Sequence, residues 1–162
     1  MGLSRHINSF NVYNVLLIII FSLTVNGFFY STINIFFYVI LHFLIIYLGI
    51  YYYRNLLYFI YFIYGLGLDL IWVNEIGPHL LIFMLILIFF SKVSKYLYQL
   101  DSFKIYSFIL LVQIFIIFLE MFIANIFFNY AFNYNYFINI IVISLVFSFP
   151  IFLIFSKIDK LK

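Results

Sequence analysis

Cysteine is absent from the chain, and charged residues are scarce. Without a thiol, the protein can form no disulfide and can offer no thiolate ligand to a metal ion. Charged side chains make up 8% of the 162 residues, whereas 69% of the residues are hydrophobic and the mean hydropathy is +1.25. So little polar surface cannot cover a soluble globule of this length. We therefore expect a single domain that lies within a lipid bilayer.

The apolar sequence divides into six runs that are typical of membrane helices, since about 20 apolar residues cross the hydrocarbon core. The predicted spans are residues 12–29, 33–52, 56–73, 77–90, 105–128 and 137–155. If the N-terminus lies inside, all eight basic residues fall in cytoplasmic segments and the three outer loops contain none. These residues are Arg5, Arg54, Lys92, Lys95, Lys104, Lys157, Lys160 and Lys162.

Retention of Lys and Arg on the cytoplasmic side is the main determinant of membrane topology. The sequence therefore predicts an all-α integral membrane protein, a bundle of six transmembrane helices with both termini cytoplasmic. The isoelectric point near 9 comes from the same flanking cations. It indicates orientation and attraction to anionic lipid, and gives no reason to expect nucleic-acid binding. The first apolar run lacks a small-x-small cleavage pattern, so we expect a retained helix.

Two carboxylates lie inside the predicted spans. Asp69 is about 13 residues into the third span and Glu120 is past the middle of the fifth, which places both in the outer half of the bilayer. A charged group near the bilayer centre costs about 2.5 to 3.5 kcal/mol. With no Lys or Arg predicted within reach, each must be protonated, hydrogen-bonded, exposed to a water-filled cleft or matched by a partner protein.

His79 is the predicted partner of Asp69. The intervening turn returns His79 to about the depth of Asp69, and an imidazole that donates to the carboxylate satisfies both groups. Pro78 suits the first turn of a helix, where its missing N–H has no cost. His42, in the second span, is expected to be a packed polar residue that faces the bundle. Because the sequence offers no set of metal ligands, we expect neither a metal nor a cofactor.

Small and polar residues recur at helical spacing in three spans. Gly65 and Asp69 are four residues apart and share a helix face, so another backbone can approach closely beside the carboxylate. In the fifth span Gln113 and Glu120 fall near one stripe with Ala124, and in the sixth the small residues are Ser144 and Ser148. These positions are typical of helix packing supported by buried polar groups.

Tyrosines cluster where the predicted spans end. Tyr51, Tyr52 and Tyr53 precede Arg54 and predict an anchor at the inner interface, because aromatic rings favour headgroup depth. A second set among asparagines predicts an outer anchor, formed by Tyr130, Tyr134 and Tyr136.

Residues 64–81 carry a resemblance to a known family. The string GLGLD, a short turn and GPHLL resemble the bacterial rod shape-determining protein family MreD, whose pattern is a Gly-Leu-rich helix that ends in Asp, a turn and a Gly-x-His helix start. The chain length and the closing Phe149-Pro150 helix with its basic tail are also similar. Two features depart from the family: no Pro precedes the second span, and Gly77-Pro78-His79 is a variant of the turn.

The resemblance implies a non-enzymatic scaffold of the cell-wall elongation complex in the bacterial inner membrane. Its implied partners are an MreC-like membrane protein, MreB, RodA and a transpeptidase. The residues expected in helix packing or partner binding are Gly65, Gly67, Asp69, Gly77, His79 and Glu120. The alternative is the substrate-binding membrane subunit of a vitamin-type transporter, in which an outward cleft near Asp69, His79 and Glu120 would hold the solute. The sequence shows no nucleophile paired with a general base, so it gives no indication of an enzyme.

Overall fold

A computed structural model describes residues 2–25, 31–72, 77–97, 99, 101–128 and 134–160. All regular structure in this part of the chain is α-helical, with six helices and no strand, so the all-α prediction is confirmed. The helices are α1 (Gly2–Val25), α2 (Ser31–Tyr51), α3 (Leu56–Trp72), α4 (Pro78–Leu97), α5 (Ser102–Phe128) and α6 (Tyr134–Lys160).

Three of these helices are long and apolar enough to cross a membrane: α2, α5 and α6, over Ile33–Tyr51, Ser102–Phe127 and Tyr134–Asp159. The apolar parts of α1, α3 and α4 are shorter, at Phe10–Thr24, Leu56–Ile71 and Pro78–Val93. Six spans thus remain a prediction. Several helices also extend beyond the predicted spans, because a helix continues past its apolar run wherever its polar side chains reach water. The largest differences are the start of α1 and the end of α4.

Helix α2 lies at the centre of the bundle. It contacts α1, α4, α5 and α6, and its ten residues 41–50 are all buried. The outer faces of the surrounding helices are instead rich in exposed large apolar side chains, such as Leu111 and Phe115 on α5 and Val146 on α6. A soluble monomer rarely exposes such surface. The arrangement is compatible with a membrane protein whose apolar faces contact lipid.

The bundle has one end rich in basic residues, which we call the basic end. Consecutive helices run antiparallel through short connections, so Arg54, Lys92, Lys104 and Lys157 all flank helix termini of this end. The side chains of Arg5, Lys95 and Lys160, and residue Lys162, lie outside the described part. The opposite end contains the terminus of α3 and the start of α4, and is called the Asp69 end.

Three tyrosines at the basic end point into the bundle towards one carboxylate. Tyr13 of α1, Tyr47 of α2 and Tyr52 donate to the carboxylate oxygens of Asp159 on α6, at 2.9, 2.5 and 2.5 Å. The prediction that Tyr52 anchors the chain among lipid headgroups is therefore wrong, because an acceptor lies inside the bundle at the same depth. This three-tyrosine cluster joins α1, α2 and α6.

The outer anchor is only partly described. Tyr134 is largely exposed, as an interfacial ring would be, whereas Tyr136 is half-buried. Tyr130 lies outside the described residues.

Candidate functional site at the Asp69 end

Asp69 caps helix α4 from the neighbouring helix α3. Its Oδ2 accepts hydrogen bonds from the backbone N–H groups of Gly77 and Leu80, at 3.0 and 2.9 Å, and its Oδ1 accepts from the N–H of His79 at 2.9 Å. The first N–H groups of a helix have no partner within the helix, and a carboxylate beside them is further stabilised by the helix dipole. Pro78 has no N–H group. The backbone N–H groups of the other three residues from 77 to 80 therefore all donate to Asp69.

His79 adds a fourth bond to the same carboxylate. Its Nδ1 lies 2.8 Å from Oδ1 of Asp69, and both side chains are buried. The predicted Asp69–His79 unit is thereby confirmed. With Nδ1 of His79 as the donor, each carboxylate oxygen accepts two hydrogen bonds, which fills the acceptor sites of an ionised carboxylate.

The two glycines that precede Asp69 provide room for neighbouring helices of the same chain. A Cβ placed on Gly65 would lie 2.7 Å from Cα of Leu80, so the α4 backbone rests directly against α3. A Cβ on Gly67 would lie 2.6 Å from the ring of Phe21 on α1. The predicted close approach at Gly65 is confirmed, and the approaching backbone belongs to α4.

Glu120 is buried in α5 and is hydrogen-bonded by two residues of α2. The Tyr38 hydroxyl donates to Oε2 at 2.7 Å, and Nε2 of His42 lies 2.9 Å from Oε2 and 3.1 Å from Oε1. Nδ1 of His42 lies 2.9 Å from the carbonyl oxygen of Tyr38. Neither of these two partners is predicted from the sequence. A usable signal exists, because Tyr38 and His42 are four residues apart and share one helix face.

Tyr38 connects the two carboxylates through His79. The Tyr38 hydroxyl lies 3.1 Å from Nε2 of His79, which in turn is 3.9 Å from Oε2 of Glu120. Asp69, His79, Tyr38, Glu120 and His42 thus form one continuous chain of contacts, which we call the polar network. Every member is at most 6% exposed. The network ties α2, α3, α4 and α5 together at the Asp69 end.

The chemistry of the polar network is that of acids, imidazoles and a phenol bonded to one another. Among the described residues, no three His, Asp or Glu side chains have an arrangement that could hold a metal ion. The network brings together three of the six residues predicted for this site, and a fourth, Gly77, supplies a backbone donor to it. Such a set can hold and pass protons.

A second polar contact lies deeper between α2, α5 and α6. Nε2 of Gln113 donates to the carbonyl oxygen of Val39 at 2.8 Å, and Ser148 donates to Oε1 of Gln113 at 3.3 Å. Ser144 is buried one turn away on α6. The prediction that these residues support helix packing is confirmed for Gln113 and Ser148.

An apolar groove of about 660 Å³ lies on the outside between α5 and α6. Its lining includes Leu111, Phe115, Phe118, Phe137 and Leu145, and none of the residues of the polar network. The Phe118 and Phe137 rings meet at a centroid distance of 5.9 Å. The groove therefore presents hydrocarbon to its surroundings and offers no charged group to a solute.

The chain matches no family model, no curated protein and no solved structure. The resemblance to the MreD family thus depends on sequence alone, chiefly on the motif of residues 64–81, whose described members lie in α3 and at the start of α4.

Proposed function

We propose that the protein is a non-enzymatic scaffold of the MreD type in the bacterial inner membrane, where it holds the membrane spans of partner proteins. The observation that carries the proposal is the use of the motif within the chain itself. Asp69 caps α4, and Gly65 admits the backbone of α4. In an MreD-like protein these residues would shape a rigid bundle, and the partners would contact its outer surface.

The outer surface supports this proposal because the described helices expose many large apolar side chains. Exposed large side chains occur on each helix that a partner could reach, for example Ile18, Phe59, Leu85, Phe115 and Val146. Partner helices in a bilayer associate through van der Waals packing of such surfaces, without a hydrophobic driving force. The partners that the family resemblance implies are an MreC-like protein, RodA and a transpeptidase, with MreB on the cytoplasmic side.

Transport is less well supported by the same contacts. A solute site needs polar groups that are free to face the solute, whereas Asp69 and Glu120 are buried and bonded within the chain. The groove between α5 and α6 is apolar.

The test is co-purification in mild detergent, combined with disulfide crosslinking from single cysteines. Because the chain has no cysteine, substitutions such as Phe115→Cys, Ile18→Cys and Leu85→Cys each report on one face. We expect disulfides, formed with an added oxidant, to a co-expressed MreC-like partner that carries one introduced cysteine in its membrane span, and from one face only. The buried control Ile109→Cys should give none.

Failure to recover any of the proposed partners would count against the scaffold. Stabilisation by a vitamin-type solute would then favour transport, because a ligand at a hundredfold excess over its Kd stabilises the folded state by about 2.7 kcal/mol.

A further inference from the structure

The hydrogen atoms in the polar network can be counted from its contacts. Asp69 accepts three backbone N–H groups, which stabilise its ionised form, so the hydrogen between Asp69 and His79 is assigned to Nδ1 of the imidazole. The carbonyl oxygen of Tyr38 can only accept, so Nδ1 of His42 also carries a hydrogen. Three contacts remain, and each requires one hydrogen. They join His42 to Glu120, Tyr38 to Glu120 and Tyr38 to His79.

Tyr38 supplies only one of these three hydrogens. When its hydroxyl donates to Glu120, Nε2 of His79 must carry a hydrogen to bond the phenol oxygen. The contact between His42 and Glu120 also needs a hydrogen, on either the imidazole or the carboxyl group. As a reference state we take two ionised carboxylates, two neutral imidazoles and one neutral phenol. Every contact of the network has its hydrogen only when two further protons are bound to this set.

The same two protons also cancel its charge. When both protons are bound, the negative charges of the two carboxylates are balanced by the positive charges of two imidazolium groups. A proton that lies on a carboxyl group instead makes that pair neutral, and the net charge is still zero. Loss of one proton leaves a net negative charge in a buried site and sets two acceptors about 3 Å apart. Either change is unfavourable in a low-dielectric interior.

We propose that the polar network is a proton-binding site that takes up two protons and thereby holds α5 against α2 and α4. Release of these protons breaks the contacts of Glu120 and separates α5 from α2 at the Asp69 end. The inference does not depend on the scaffold function, because it concerns the stability of the bundle itself.

Within the described part of the chain, the titratable groups that face the site come from five helices. Helix α2 contributes Tyr38 and His42, α3 contributes Asp69, α4 contributes His79 and α5 contributes Glu120. On α6, Tyr136 is close enough to interact electrostatically with Glu120 and Tyr38. The described side chains of α1 near this end, Phe21 to Thr24, include no titratable group.

The test measures stability of the full chain in detergent against pH, in a His6→Gln background that removes the third histidine. Above about pH 6.5 the unfolded chain loses its imidazole protons, whereas the folded network keeps two. The folded state then binds more protons, so stability must fall as pH rises. Each proton of difference changes the folding constant tenfold per pH unit, and we expect a fall approaching a hundredfold per unit between pH 7 and 9.

Two variants assign this slope to Glu120. In Glu120→Gln, the amide N–H can donate to Nε2 of a neutral His42, so only one added proton is needed and the slope should drop to about tenfold per unit. Asp159→Asn is the matched control. Its three tyrosines bring their own hydrogens, so this change should lower stability and leave the hundredfold slope intact.

A labelling measurement tests the separation of the helices and does not require Glu120→Gln to fold. Ile117→Cys places a thiol on the buried face of α5, within the buried cluster that also contains Tyr38 and Val39, and Phe122→Cys places one on the exposed face. The ratio of their maleimide labelling rates removes the intrinsic pH dependence of the thiol. We expect this ratio to rise at least fivefold from pH 6.5 to pH 9. A constant ratio, or a wild-type stability that does not fall in this range, would overturn the proposal.

Discussion

At the residue scale, the polar groups of the bundle differ in how far apart their partners lie in sequence. Asp69 and His79 are ten residues apart, so the length of the third span and the helix start at Pro78 suffice to predict that they meet. Glu120 is bonded by Tyr38, which is 82 residues away, and by His42, which is 78 residues away. Those contacts depend on the central position of α2, which an apolar pattern alone does not reveal. The sequence therefore predicts the contact between Asp69 and His79 and none of the contacts of Glu120.

Asp69→Ala should destabilise the protein by about 1 to 3 kcal/mol, because it removes the cap of α4 and leaves Nδ1 of His79 without its partner. The double variant with His79→Ala should lose about 1 kcal/mol less than the sum of the two single losses. Unfolding in detergent measures all three. Asp101→Ala is the control, since its contact with Lys104 is exposed and should contribute little. Strictly additive losses would mean that Asp69 and His79 are not coupled.

At the element scale, helix existence follows from composition, and helix packing follows from the few small residues. The apolar runs predicted all six helices and placed the start of α3 at the observed residue, Leu56. The runs did not give the full lengths of α1 and α4, since polar turns beyond the apolar core are also helical. The predicted close contact at Gly65 is the one between α3 and α4. The sequence could not predict that this contact lies within the chain, because a small residue allows close approach of any helix, from the same protein or from a partner.

Gly65→Ala should destabilise the bundle by about 1 to 3 kcal/mol, because the new methyl group would meet backbone atoms of Leu80 and force α4 away from its cap. Gly67→Ala is the matched control. There the methyl group meets the far end of the Phe21 ring, which can move, and the gain in helix propensity is up to about 1 kcal/mol. Thermal unfolding should therefore separate the two variants. Equal losses in both would show that the α3–α4 contact is not special.

At the scale of the whole molecule, the two ends of the bundle differ in their charged residues. Arg54, Lys92, Lys104 and Lys157 flank helix termini at one end, and the carboxylate of Asp69 and the imidazole of His79 lie buried near the other. The preference of basic loops for the cytoplasmic side predicts that the basic end faces the cytoplasm. The chain crosses the membrane six times if α1, α3 and α4 also span it. Both statements are open to a direct test.

Single cysteines near the two ends should differ in their reaction with a membrane-impermeant maleimide on intact cells. Tyr134→Cys, at the exposed start of α6, should label from outside. Asp101→Cys, before α5 at the basic end, should label only after permeabilisation. A reporter fused after Lys162 should also be cytoplasmic. External labelling at residue 101 would reverse the predicted orientation.

The number of crossings has its own test. If one or all three of α1, α3 and α4 fail to cross, the N-terminus and the C-terminus would lie on opposite sides of the membrane, which a second reporter before Met1 detects.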